Sequence, residues 1–272
     1  MPMSKSASGS FGIRPVVVPS LDVVASARLL PLKSLRDGLD GGAVQLVYLS
    51  LDDATPDLLA LVPLLSQSER SRVQRTANQE IAIKFILGRW LLRSALGAVL
   101  GLAAEGVPLV EGDHGKPDLA PAAPKGVSFN LAHSGSWAVL AMVSGARIGV
   151  DLERKRPLFD SDRLARRILT AREARSYQGL SEPDRQVALL AAWVRKEAVL
   201  KALGSGVSGV PASIEAGLDP AGGGNLEVSL GAGQGTHWWC CALSLPPDYL
   251  GALALEGDAR QVLAWQAQLM PG

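Results

Sequence analysis

Residues 126–154 read GVSFNLAHSGSWAVLAMVSGARIGVDLER, and the reading of this stretch decides the fold. It falls into three lengths typical of strands, parted by Ser134-Gly135 and Ser144-Gly145. Ser-Gly pairs between apolar runs mark tight turns, so the segment predicts three consecutive strands. In the third, Gly149-Val150-Asp151-Leu152-Glu153, side chains two apart share a face. Val150 and Leu152 then enter a core, while Asp151 and Glu153 point together away from it. Two such carboxylates repel unless a proton or a cation lies between them.

Upstream, VQLVYLSLDD (44–53) alternates and reads as a strand. Ser66-Gln67-Ser68-Glu69 is a capping box that opens a helix through Arg75, and residues 81–101 follow as a long, largely apolar helix. Downstream the order repeats. Thr170-Ala171-Arg172-Glu173 is a second capping box, opening a helix through Ser176, and QVALLAAWVRKEAVLKALG (186–204) is a second long helix. The stretches NLEVSLG, HWWCCALSL and LGALALEG supply late strands. The two boxes lie a domain's length apart, as do the Ala-Leu-Gly endings at Gly97 and Gly204. Matching the helices by those endings sets Arg89 opposite Lys196. The expectation is an α+β fold of two similar α/β halves related by a pseudo-twofold axis. An N-terminal arm (1–43), partly irregular, precedes a first half (44–145) and a second half (146–272). The arm is rich in Ser, Gly and Pro, with Val16–Val18 as its one apolar run.

Composition narrows the class. Apolar residues make up 47% of the 272, enough for a buried core and too many for a disordered chain. No apolar run approaches the roughly 18 residues that cross a bilayer, and no signal peptide is visible. The net charge of +1 leaves no global excess for nucleic-acid binding, so any anion site must be a local cluster. Cys240 and Cys241 are neighbours and poorly placed to bridge each other, which fits a reducing compartment and a cytoplasmic location.

Four clusters carry chemistry. Asp151 and Glu153 are hard oxygen donors without nearby His or Cys, a set that favours magnesium over zinc; paired to Arg154, Lys155 and Arg156 they would be a solvated strand edge instead. Glu197 and Lys201 lie one turn apart, either as a plain ion pair of about 0.3–0.5 kcal/mol or as part of a charged site with Lys196. His133 sits at a strand end in Phe129-Asn130-Leu131-Ala132-His133-Ser134-Gly135. A hydrolase built on Ser134 or Ser136 lacks the G-x-S-x-G elbow. Gly115-Lys116-Pro117, with Arg72, Lys84 and Arg89, offers cations for a phosphorylated ligand.

In this order and spacing, Gly115-Lys116-Pro117, FNLAHSG (129–135), IGVDLE (148–153) and WVRKEAVLKALG (193–204) resemble the Sfp-type 4′-phosphopantetheinyl transferases. The resemblance runs from about Val44 to about Glu256. It implies a pseudo-dimeric fold that binds coenzyme A between its halves and transfers phosphopantetheine to a serine of an acyl or peptidyl carrier protein, releasing 3′,5′-ADP. It further implies that Asp151, Glu153 and Glu197 hold Mg2+ or Mn2+, with Glu197 also as base, and that Lys201 contacts the pyrophosphate. Lys116 and His133 match residues near the 3′-phosphate; Arg72, Lys84 and Arg89 fall in the family's basic helical region. Lys196 joins these as a cofactor-binding expectation. The chain departs from the pattern at Ala132, where the family commonly has Ser. No enzyme nucleophile is needed, because such transfer depends on charge neutralisation and in-line positioning. The other readings are a non-catalytic coenzyme A or nucleotide binder and a magnesium-dependent coenzyme A hydrolase. A monomer without nucleic-acid or membrane partners is expected, with Arg163, Arg166 and Arg167 as a basic helix face for an acidic carrier.

Overall fold

Both capping boxes form. Ser66 Oγ accepts the Glu69 N–H at 3.2 Å while Glu69 accepts the Ser66 N–H at 2.8 Å. Thr170 and Glu173 repeat the exchange at 3.1 and 2.9 Å. The structure, a computed structural model, describes residues 20–24, 28–29, 32–52, 61–112, 115–123, 126–204, 211–228 and 236–269. The Val16–Val18 run lies outside them.

In chain order the elements are β1 (Ser20–Val24), β2 (Arg28–Leu29), α1 (Leu32–Asp40), β3 (Val44–Ser50), α2 (Gln67–Arg75) and α3 (Gln79–Leu100). A small hairpin of β4 (Leu109–Glu111) and β5 (Pro117–Leu119) leads to β6 (Val127–Ser134), β7 (Trp137–Ser144) and β8 (Ile148–Arg154). Then come α4 (Ser161–Ile168), α5 (Ala171–Gln178), α6 (Glu182–Leu203), β9 (Gly224–Val228), β10 (Thr236–Ala242), β11 (Tyr249–Glu256) and β12 (Val262–Leu269).

The strands make a six-stranded sheet ordered β2-β1-β12-β3-β7-β6 and a four-stranded sheet ordered β8-β11-β10-β9. Side-chain alternation explains their stacking. On β3, Val47 and Leu49 pack with Leu87, Trp90 and Leu91 of α3, whereas Val44, Leu46 and Tyr48 turn to the opposite face. There they meet Val139 and Ala141 of β7, Val150 and Leu152 of β8, and Leu253 of β11. Behind the second sheet, Trp238, Cys240, Ala252 and Ala254 pack against Ala198, Val199 and Leu200 of α6. The order of layers is therefore α3, first sheet, second sheet, α6. The sheets also touch along β6 and β8, where Asn130 Oδ1 accepts the Val150 N–H at 2.8 Å.

The halves are alike in detail. In each, a strand (β3 or β8) leads to a capped short helix and a 22-residue helix, and pairs antiparallel with the second strand of a later antiparallel pair. Both long helices end on a left-handed glycine, Gly101 at φ 71° and Gly204 at φ 74°. Gly101, not Gly97, is thus the counterpart of Gly204. Gly97 lies inside α3, where a Cβ would come within 2.8 Å of the Leu102 carbonyl. This corrects the match expected from the Ala-Leu-Gly endings: Arg93 stands opposite Lys196, and Trp90 opposite Trp193.

Two segments pack across the expected boundaries. Residues before 44 contribute β1, β2 and α1, whose Leu35 and Leu39 are buried in the first core. At the other end, β12 leaves the second half and lies between β1 and β3 in the first sheet, parallel to both. Trp265 Nε1 on β12 donates to Gln45 Oε1 on β3 at 2.9 Å, which satisfies a buried polar pair inside that sheet.

Candidate active site

The site begins with a missing side chain. Gly149, Asp151 and Glu153 share the face of β8 that turns to α6, and a Cβ on Gly149 would lie 1.9 Å from the Ala198 carbonyl oxygen. Only glycine lets the helix lie so close to the strand. Ala198 and Ala202 continue that close approach on the helix side. Helix and strand then bring Asp151, Glu197 and Lys201 together. Lys201 Nζ donates to Asp151 Oδ1 at 2.5 Å. The other oxygen, Asp151 Oδ2, and Glu197 Oε1 are buried without hydrogen-bond partners.

Burial pushes the Asp151 carboxyl up to about 6; Lys201 opposes this, and Glu153 and Glu197 add to it. Glu197 is raised for the same first reason, with Lys201 and Arg167 opposing and Glu153 adding. Glu153 accepts a hydrogen bond from Ser134 Oγ at 2.9 Å. Among the described residues no three acidic, His or Cys side chains converge as a ready-made ligand set. The two unpartnered carboxylate oxygens nonetheless suit a hard divalent ion, since an orphaned buried acceptor calls for a cation or a proton.

Beside the acids, a cavity of about 160 Å³ is lined by Arg72, Lys84, Phe85, Arg89 and His133, with Gly88, Gly115, Pro117 and Leu131. Arg72 and Arg89 both lie over the Phe85 ring, at 4.7 and 4.9 Å from its centre. Such stacking holds guanidinium planes in place at little entropic cost. Arg89 Nε sits 2.9 Å from Glu69 Oε1 without the alignment of a hydrogen bond, and Lys84 pairs with Glu80 at 2.5 Å. Burial lowers the His133 pKa, with Lys201 and Lys84 acting the same way and Glu153 opposing. The lowered pKa favours the neutral imidazole. Lys116 lines an adjoining cavity of about 260 Å³ and donates to the Lys201 carbonyl at 2.7 Å.

Four of the six expected cofactor-binding residues thus share one cavity, and Lys116 borders the next. Lys196 is a correction. It is fully buried, donating to Glu173 at 2.5 Å and to the Ile168 carbonyl at 2.6 Å, so no ligand reaches it. Glu173 in turn accepts the Ala216 and Gly217 N–H groups at 2.8 and 2.9 Å. Next to it Arg195, which no sequence motif marks, donates to the carbonyls of Ala216, Gly217 and Asp219. Arg195, Lys196 and Glu197 advance by about 100° each around the helix, so only the last faces the acids. Ala132, at the departure from the family pattern, is buried between the sheets rather than in the cation-lined cavity.

Fold and site together define a protein of two similar α/β halves with an acidic centre beside a cation-lined cavity. A profile of the 4′-phosphopantetheinyl transferase superfamily matches residues 147–254, and one of the 4′-phosphopantetheinyl transferase N-terminal region matches residues 53–145. The chain is 33% identical to 4′-phosphopantetheinyl transferase HetI of Nostoc sp. (strain PCC 7120 / SAG 25.82 / UTEX 2576), over 82% of this chain and 91% of that protein. It is 32% identical to 4′-phosphopantetheinyl transferase psf-1 of Bacillus pumilus over 68% of this chain and 78% of the relative. Against 4′-phosphopantetheinyl transferase Sfp of Bacillus subtilis (strain 168) the identity is 28%, over 53% and 62%. The protein belongs to the 4′-phosphopantetheinyl transferase superfamily and is a transferase of the phosphopantetheine group. Among the described residues no helix is long and apolar enough to cross a membrane.

Proposed function

We propose that the protein moves the 4′-phosphopantetheine group of coenzyme A to a serine hydroxyl of an acyl or peptidyl carrier protein, releasing 3′,5′-ADP, with Mg2+ or Mn2+ required. The observation that carries this reading is the Asp151–Lys201–Glu197 group, whose two carboxylates are buried with one unpartnered oxygen each, beside a cavity lined by Arg72, Lys84, Arg89 and His133. Asp151, Glu153 and Glu197 would hold the divalent ion. When bound, such an ion neutralises pyrophosphate charge and polarises the phosphorus under attack. Arg72, Lys84, Arg89, Lys116 and His133 bind the 3′-phosphate end of coenzyme A and fix its position.

Glu197 takes the proton from the carrier serine as its oxygen attacks the β-phosphorus. A carboxyl raised by burial is suited to that exchange near neutral pH. The phosphorus–oxygen bond to 3′,5′-ADP breaks, and Lys201 steadies the negative charge that develops on the leaving group. Arg163, Arg166 and Arg167 are exposed on α4 while Ile168 and Leu169 are buried, which supports a docking face for an acidic carrier. Both sides of the site lie within one chain, in keeping with a monomer. Burial pushes the Cys240 and Cys241 thiols up to about 12, which suits inert thiols in the cytoplasm.

Intact-mass spectrometry of an apo carrier protein incubated with this enzyme, coenzyme A and Mg2+ tests the reading. A gain of one phosphopantetheine, abolished by EDTA, is expected. Coenzyme A cleaved with the carrier unmodified would mean a hydrolase, and no turnover at all a binding protein.

A further inference from the structure

Ser134 is the last residue of β6 and belongs to the first half, yet its hydroxyl is bonded wholly to the second. Ser134 Oγ donates to Glu153 Oε2 at 2.9 Å and accepts the Arg154 N–H at 3.1 Å. A serine hydroxyl has a single proton. With the backbone N–H held on its oxygen, that proton is directed at the carboxylate. The turn that follows fixes the serine in turn. Gly135 has φ 54°, and a Cβ there would lie 2.4 Å from the Tyr249 hydroxyl oxygen. Ser136 N–H donates to that same oxygen at 2.9 Å. Arg154, the nearest cation in sequence to Glu153, pairs instead with Asp248 at 3.3 Å. Ser134 is therefore the hydrogen-bond donor that fixes Glu153, and a rigid turn locked onto β11 fixes Ser134.

We infer that Ser134 is a positioning residue, through which the first half orients the Glu153 carboxylate toward the divalent-ion site of the second. The inference rests on the reading of Asp151, Glu153 and Glu197 as the acids of that site. Without the donor, the Glu153 side chain keeps its charge and loses its direction, so the ion is bound more weakly although every acid remains. Hydrogen-bond partners of ligating groups commonly have effects of this size on metal affinity.

Titration of the 272-residue chain with Mn2+, reading free ion by electron paramagnetic resonance, tests this without coenzyme A or turnover. Ser134→Ala should raise the Mn2+ dissociation constant about tenfold, and Ser134→Thr, which keeps the hydroxyl, should return it to within about twofold of wild type. Glu153→Gln should weaken binding at least as much. The double variant should bind no worse than Glu153→Gln alone, because the serine acts through the glutamate. Unchanged Mn2+ binding in Ser134→Ala, with Glu153→Gln weakened, would overturn the inference and leave the metal reading standing. So would a double variant in which the two losses multiply. No effect of Glu153→Gln would overturn the metal reading, and the inference with it.

Discussion

In the first half the capping glutamate, Glu69, has two arginine partners, with Arg89 at 2.9 Å and Arg93 at 3.1 Å. In the second, Glu173 pairs with Lys196 at 2.5 Å, and both side chains are almost wholly shut from solvent. Burial pushes the Glu69 carboxyl up, but the Ser66 N–H and the two guanidiniums more than offset it and hold the group below the usual carboxylate range. The same device yields different results. Two guanidiniums share one carboxylate, and one of them, Arg89, also lines the cation-lined cavity. One ammonium on one carboxylate closes its charge and leaves the neighbouring residues of α6 to face β8. Where α6 has Glu197 and Lys201, α3 has Ser94 and Ala98. On the proposed function, the first half holds the anion and the second acts on it.

The comparison can be broken at its strongest point first. Glu197→Gln should lower kcat by about 10²–10⁴-fold, the range for loss of a general base. Ser94→Ala, at the matching position of α3, should leave transfer within about twofold, since its hydroxyl has no partner to lose. Steady-state assays with a carrier protein check both. A comparable loss in Ser94→Ala would end the division of labour.

Next in size is the frame. Glu173→Ala strands a buried Lys196 ammonium and should cost about 3–5 kcal/mol in urea unfolding. Glu69→Ala removes the capping-box partner of Ser66 and two ion pairs that are less completely buried, and should cost less, about 2–3 kcal/mol. Equal costs would mean that the two clamps are energetically alike despite their different burial.

A third test uses pH. The folded Asp151 carboxyl, at about 6 against an ordinary 3.8, holds its proton more tightly than the unfolded chain does. Stability is therefore present at low pH and is lost as pH rises from about 4 to about 6. In EDTA, Asp151→Asn should be more stable than wild type by about 2–3 kcal/mol near pH 7.5, and the gap should close near pH 4. A gap independent of pH would show that Asp151 is not the titrating group.

How much of this was legible beforehand follows from the range of each interaction. The capping boxes and the three strands of 126–154 are set by neighbours in sequence and read directly from it. β12 is not, because its partners are far away in the chain and nothing local marks a parallel strand. The notion that charges on an apolar helix need partners served for Lys196, but the partner is Glu173 of the same half rather than a phosphate. A one-residue step around a helix decides between those outcomes, and local sequence does not fix it. The sequence offers Ser134 only as a nucleophile, since its bond to Glu153 depends on two sheets meeting.

The smaller effects sharpen the comparison. His133→Ala and Lys84→Ala should raise KM for coenzyme A about tenfold with kcat little changed, as expected for groups that bind ground and transition states alike. Dephospho-coenzyme A, which lacks the 3′-phosphate, should be nearly indifferent to them; equal weakening of both would remove His133 from that contact. Arg166→Glu with Arg167→Glu should raise KM for the carrier a few-fold at low ionic strength, leave coenzyme A binding unchanged and flatten the salt dependence. An unchanged carrier KM would return α4 to an ordinary solvated face.

The place of β12 between β1 and β3 bears on how the chain is made. Ribosomes deliver β3 long before β12, so the emerging first half has a gap in its sheet that it cannot fill from its own sequence. Both flanking strands show unpaired backbone edges until synthesis reaches residue 262, and such edges recruit other chains. A nascent polypeptide stalled after residue 145 has every residue that lines the cation-lined cavity but not the strand that closes its supporting sheet. Separate expression of the two halves as a split enzyme, cut where the sequence most invites it, should therefore give an aggregating first fragment, whereas a cut fragment supplied with the β12 segment should stay in solution.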